Sequence, residues 1–139
     1  MKTRLICSLG AALLAAAGLY AQSPQTLVAN VPFGFHAGSV ALPAGEYNVD
    51  MLRIAPGVVR VISAGHKAVA IIMTFGRQTP KYSDQGKLVF NRYGDNYFLS
   101  QVWPSGRTGR EIYRSRREKE MASNVGQPAR ESLLAKAIK

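Results

Sequence analysis

Leu27-Val28-Ala29-Asn30-Val31-Pro32-Phe33-Gly34-Phe35-His36 is the stretch that decides the fold class of this chain. Its odd positions (Leu27, Ala29, Val31, Phe33, Phe35) are all apolar, while the even ones include Asn30, Pro32, Gly34 and His36. Successive side chains of a strand point to opposite faces, so period-two alternation of this length marks a strand with one buried face. Pro32 has no N–H to give to a ladder, which predicts an edge strand or a bulge at that point. Leu42-Pro43-Ala44-Gly45 follows as a turn, with proline presetting its second position and glycine ending it. After the turn Tyr47, Val49 and Met51 alternate with Glu46, Asn48 and Asp50, and a second strand is expected.

The same punctuation continues toward the C-terminus. Ala55-Pro56-Gly57 breaks the chain before a strand over 58–62, and Ala64-Gly65-His66 breaks it before 68–75. That last run is almost continuously apolar, the pattern of a central strand. Residues 76–86 read as a polar loop. Segments 88–93 and 97–103 flank Gly94-Asp95-Asn96, a hairpin signal whose loop holds two or three residues. Pro104-Ser105-Gly106 is read as the end of the sheet. Many short strands with turn punctuation point to a mainly all-β fold: a small antiparallel β-sandwich or barrel of six to seven strands over 27–113.

Beyond the sheet, Ser115-Arg116-Arg117-Glu118 has the spacing of a capping box and predicts a basic helix over 114–122. Residues 123–139 are expected to form a flexible tail, because a ten-residue helix around Leu133, Leu134, Ala137 and Ile138 is marginal on its own. Deleting that tail is expected to matter little for binding an anionic polymer, because it holds only Arg130, Lys136 and Lys139 against Glu131.

The N-terminus has a different character. Lys2 and Arg4 precede an uncharged run through Leu19, and Tyr20-Ala21 leads into polar Gln22-Ser23-Pro24. This is the layout of a secretory signal peptide over 1–21, cleaved after Ala21 or, failing that, Ala17, with 22–26 as a short linker. The apolar run is shorter than the roughly twenty residues that a spanning helix needs, so no transmembrane span is expected after cleavage. Cys7, the only cysteine, leaves with the signal. The mature domain is therefore expected to fold in an oxidising compartment, periplasmic or extracellular, without a disulfide. Net charge is +10 over the whole chain, and the excess is concentrated after residue 104.

As a set, Val31-Pro32-Phe33-Gly34-Phe35, Leu42-Pro43-Ala44-Gly45-Glu46-Tyr47, Leu88-Val89-Phe90-Asn91-Arg92-Tyr93-Gly94, Tyr97-Phe98-Leu99 and Gly109-Arg110-Glu111, followed by Ser-Arg-Arg-Glu, carry a resemblance. The chain resembles a family of small secreted β-rich proteins of soil bacteria whose function is unknown. The resemblance covers residues 27–122 and implies export and a β-rich domain. It transfers no catalytic residue.

Few residues offer chemistry. His36 and His66 are far apart in sequence and the acids are scattered, which is short of the three or four ligands a metal centre needs. Ser39, His66 and Asp84 make a triad only on paper, without a nucleophile-elbow pattern. Glu46 and Asp50 share a strand face at roughly 13 Å, beyond the reach of paired glycosidase carboxylates. Gly106-Arg107-Thr108-Gly109 reads as a glycine turn rather than a nucleic-acid loop, so no specific nucleic acid is expected, and no cofactor either. The remaining signal is Arg107, Arg110, Arg114, Arg116, Arg117 and Lys119, a candidate set for binding an anionic envelope polymer or lipid headgroups. Against it, Glu111, Glu118 and Glu120 neutralise half of the cluster locally. Tyr82, Tyr93, Tyr97 and Trp103 offer an aromatic face for sugar rings, or ordinary cross-strand packing. The sequence thus points to a non-catalytic binding or structural module of the bacterial envelope or exterior, with a small polysaccharide-acting hydrolase or lyase as the alternative.

Overall fold

The computed structural model describes residues 26–52 and 55–138. The expected signal peptide and Cys7 lie outside these residues, as does the linker up to residue 25. The alternation beginning at Leu27 is carried by two strands rather than one. β1 (Thr26–Val31) stops at Pro32, and β2 (Phe35–Ala37) resumes the apolar period elsewhere in the sheet. β1 is consequently neither an edge nor bulged: the proline ends it, so no ladder position lacks a donor.

The other elements are β3 (Val40–Leu42), β4 (Gly45–Met51), β5 (Val58–Ser63), β6 (Val69–Ser83), β7 (Gly86–Tyr93), β8 (Asn96–Trp103), β9 (Gly106–Ile112), α1 (Arg116–Val125) and β10 (Ala129–Ile138). Eight of the strands close into an antiparallel barrel in the order β1-β4-β5-β6-β9-β8-β7-β10, with β10 returning to β1. The β2–β3 hairpin lies outside this ring and joins β8 through one parallel bridge, His36 to Phe98. The fold is all-β with a short C-terminal helix, and of the two expected architectures it is the barrel.

Three stretches depart from the sequence reading. Residues 76–83 are not a loop but the outer half of β6, which pairs with β9 from Thr74↔Ile112 to Gln78↔Thr108. Past Thr74 this strand has left the core, so Arg77, Gln78, Thr79 and Lys81 are polar. The sheet does not end at Pro104-Ser105-Gly106 either, because β9 follows, paired to both β6 and β8. Gly106-Arg107-Thr108-Gly109 is therefore strand and not turn. Finally, 123–139 is not a flexible tail. α1 runs to Val125, past the expected 122, and β10 pairs with β7 from Ala129↔Arg92 to Ala135↔Gly86 and with β1 near its end. Of β10 only Ala135 is buried, so its place in the ring rests on backbone pairing that hydrophobic periodicity does not register.

The β7–β8 hairpin closes with Tyr93 opposite Asn96, leaving a two-residue loop, Gly94-Asp95. Gly94 takes φ +62° at the first central position, as a type II′ turn requires. Ser100 is an extra residue on β8, since Val89 pairs with Gln101 and Phe90 with Leu99.

An eight-stranded barrel is just wide enough for side chains to fill it. Leu27, Ala29 and Val31 meet Tyr47, Val49, Val59, Val61, Ala70, Ile72, Leu88, Phe90, Leu99, Val102, Ile112 and Ala135 inside. Phe35 plugs one end, edge-on to Tyr47 at 5.2 Å and to Phe90 at 5.4 Å. At the other end Arg110 donates from Nε to Thr74 Oγ1 (2.9 Å) and from Nη2 to the Thr74 carbonyl (3.0 Å).

A second buried group lies apart from this core: Val89 and Tyr93 of β7 with Phe98 and Trp103 of β8, alongside Asn91 and Gln101. By contrast, the outer face of the run expected as a central strand is bare. Ile71 and Met73 are 68% and 67% exposed beside Val69 and Phe75. β6 is apolar on both faces although only the inner one is covered.

Candidate functional site

The basic segment does not act as one patch. Arg107 lies exposed near the start of β9, five residues and roughly 17 Å of strand from Ile112. Arg110 turns toward the barrel end and is held by Thr74, so its guanidinium serves structure. The other four surround α1. Its N-cap is Ser115, whose Oγ accepts from the Glu118 N–H at 3.2 Å, as the expected capping box requires.

Glu118 does not complete that box with its side chain. Its carboxylate is buried against β7, where Oε1 accepts from Asn91 Nδ2 at 2.8 Å and from the Tyr93 hydroxyl at 3.1 Å. Burial and the Glu118 charge both hold the Tyr93 phenol above its ordinary pKa. Glu111 is likewise drawn away, its Oε2 lying 2.9 Å from Arg77 Nε on β6. That oxygen is buried, and the pair is close in charge without aligning an N–H on it. Arg114 remains 3.8 Å from Glu118, and Arg116 pairs with exposed Glu120 at 3.4 Å. Among the described residues Arg107, Arg117 and Lys119 make no ion pair.

Arg117 lies against the β2–β3 hairpin. His36, stacked on Phe98 at 4.7 Å, is pushed below its ordinary pKa by burial first and by the Arg117 charge second. Beside it a shallow depression is lined by Ser39, Ser115, Arg116, Arg117, Glu120, Met121 and Asn124.

The four candidate aromatics separate. Tyr93 is buried beneath α1, and Tyr97 stacks on Phe33 at 3.7 Å. Tyr82 and Trp103 do come together, in a cleft of about 290 Å³ on the outside of the barrel. Lys81, Lys87 and Gln101 also line it, and no residue pattern in the sequence marks these three out. Its wall exists because β6 and β9 fall out of register: Thr79, Pro80, Lys81 and Tyr82 stand opposite Arg107 alone.

The residues of the paper triad occupy three separate turns: Ser39 between β2 and β3, His66 between β5 and β6, Asp84 between β6 and β7. Among the described residues there is no group of three His, Cys, Asp or Glu side chains placed to hold a metal ion, and no helix is long and apolar enough to cross a membrane. Compared with protein-family models, curated proteins and solved structures, the chain matches none.

Proposed function

We propose that this chain is an exported, non-catalytic binding module of the bacterial envelope or exterior, and that it contacts anionic polymers through the exposed basic side chains of α1. The observation that carries this reading is the fate of the acids. Glu118, which in sequence neutralises the arginines, is spent inside the protein on Asn91 and Tyr93, and Glu111 faces Arg77. Arg116, Arg117 and Lys119 then face solvent with Glu120 as the nearest surface counter-charge in the helix. Arginine guanidinium groups pair two-pronged with carboxylates, phosphates and sulfates, which suits a polyanion of any backbone. Export rests on the layout of the first twenty-one residues.

The test is retention of the mature chain on heparin resin and on anionic vesicles. Changing Arg116, Arg117 and Lys119 together to Ser removes three charges that touch no core residue. Elution is expected at clearly lower salt, with the melting temperature held within about a few degrees, as surface changes usually cost no more than roughly 0.5 kcal/mol. Unchanged retention at low salt overturns the reading.

A further inference from the structure

The cleft over Trp103 lies apart from the helix cluster and shares no lining residue with it. Its floor is fixed from two sides. The Trp103 ring lies so close to the β9 backbone that a Cβ at Gly109 would sit 2.5 Å from ring carbon Cε3, so glycine is what lets the indole lie flat there. Its Nε1–H donates to Gln101 Oε1 at 2.8 Å, which locks both side chains. Gln101 is only 5% exposed, and with its oxygen taken, its amide N–H groups bond nothing else among the described residues. Its amide nitrogen is not enclosed, and the side chain lines the cleft. Above the floor the Lys87 ammonium stands 5.9 Å from the indole centroid. Lys81 comes from the displaced wall, and neither lysine has an acid within ion-pair distance among the described residues. Thr79 and Ser83 supply hydroxyls, and Tyr82 stands 59% exposed at the mouth.

We propose that this cleft binds a single carboxylated pyranose ring, a uronate, taken either as the free sugar or as one unit of an acidic polysaccharide. Each part of the ligand has a counterpart. The C–H face of a pyranose is apolar and packs on the exposed Tyr82 ring at the mouth, its hydroxyls need donors and acceptors such as Gln101, Thr79 and Ser83, and its carboxylate needs the two ammonium groups that have no acid partner. About 290 Å³ lies at the lower end of ligand pockets and suits one ring. A neutral sugar would leave Lys81 and Lys87 unanswered. A bare anion would make no use of the Tyr82 ring or of the hydroxyls.

Trp103 is the only tryptophan in the chain, so its fluorescence reports on this cleft directly. The mature protein is titrated with galacturonate, glucuronate, glucose and inorganic phosphate. Saturable change is expected with a uronate, at least about tenfold weaker with glucose, in line with the loss of one charge-assisted contact. Lys81→Gln with Lys87→Gln, the first exposed and the second half-buried, is expected to weaken uronate binding at least about tenfold without moving the melting temperature by more than a few degrees. Arg117→Ser is expected to leave it unchanged, which separates this site from the helix cluster. A tetra-uronate binding more tightly than the monomer identifies a polymer as the source, and equal affinity identifies the free sugar; both keep the proposal. No saturable response to either uronate overturns it, and so does an equal response to phosphate or to glucose.

Discussion

Replacing Glu118 with alanine probes the hydrogen-bonded attachment of α1 to β7. The carboxylate accepts from Asn91 Nδ2 and from the Tyr93 hydroxyl, and its side chain is 5% exposed. A hydrogen bond to a charged group contributes about 1.5–3 kcal/mol, so two amount to roughly 3–6 kcal/mol. Alanine also frees the carboxylate from burial, which offsets part of this, while Asn91, whose Oδ1 already lacks a partner, is left bare at both ends of its amide. The expected net loss is about 3–4 kcal/mol. For a domain slightly over a hundred residues, 1 kcal/mol moves Tm by roughly 3–6 °C, so a fall of about 10–20 °C is expected. The assay is thermal unfolding of the mature chain followed by far-UV circular dichroism, beside two controls. Glu118→Gln keeps an acceptor and should lose clearly less than alanine. Glu120→Ala removes an exposed helix pair with Arg116 and should change stability by no more than about 0.5 kcal/mol. A Glu118→Ala protein that melts within a few degrees of Glu120→Ala would refute the reasoning, because α1 would then be held by something other than this carboxylate.

Two further outcomes follow from the fold. Removal of 129–139 should abolish folding rather than trim a tail, since it opens the barrel along both β7 and β1; a truncated chain with native near-UV circular dichroism contradicts the seam. His36 has its pKa lowered in the folded state, so its contribution is present above its unfolded value near 6.5 and is lost as pH falls through the folded pKa. The urea midpoint should therefore drop from pH 7.5 to pH 5 by more in the parent than in His36→Asn; equal drops would show that the burial of His36 and its repulsion by Arg117 are without consequence.

What the sequence revealed depended on where side chains carried the pattern. Tyr47 and Val49 alternate with polar residues because one face of β4 meets the core, and the strand was readable from them. Gly94 marked the hairpin because its positive φ demands glycine. β9 and β10 left almost no hydrophobic trace: one buried side chain beyond a glycine in the first and Ala135 in the second, with the ladder supplying the rest. The cap at Ser115 was legible from spacing, but the Glu118 side chain was not, because its partners Asn91 and Tyr93 lie more than twenty residues away. The cleft was half visible. Trp103 and Tyr82 stood out as aromatics, while Lys81 reaches them only because β6 and β9 slip register, a property of pairing that no single segment encodes.

The seam at β10 also bears on when this protein acquires its structure. Thr26 of the first strand pairs with Ile138 of the last, so the ring shuts across almost the full length of the described chain. Contacts between such distant segments slow folding, because the intervening chain must be ordered before they form. During synthesis at about 5–20 residues per second, β1 and β4 wait several seconds for the strand that completes the ring. Through that interval the β1 and β7 edges lie open and the interior side chains of the barrel are partly uncovered. Until β10 arrives, the apolar interior stays open to contact with neighbouring chains.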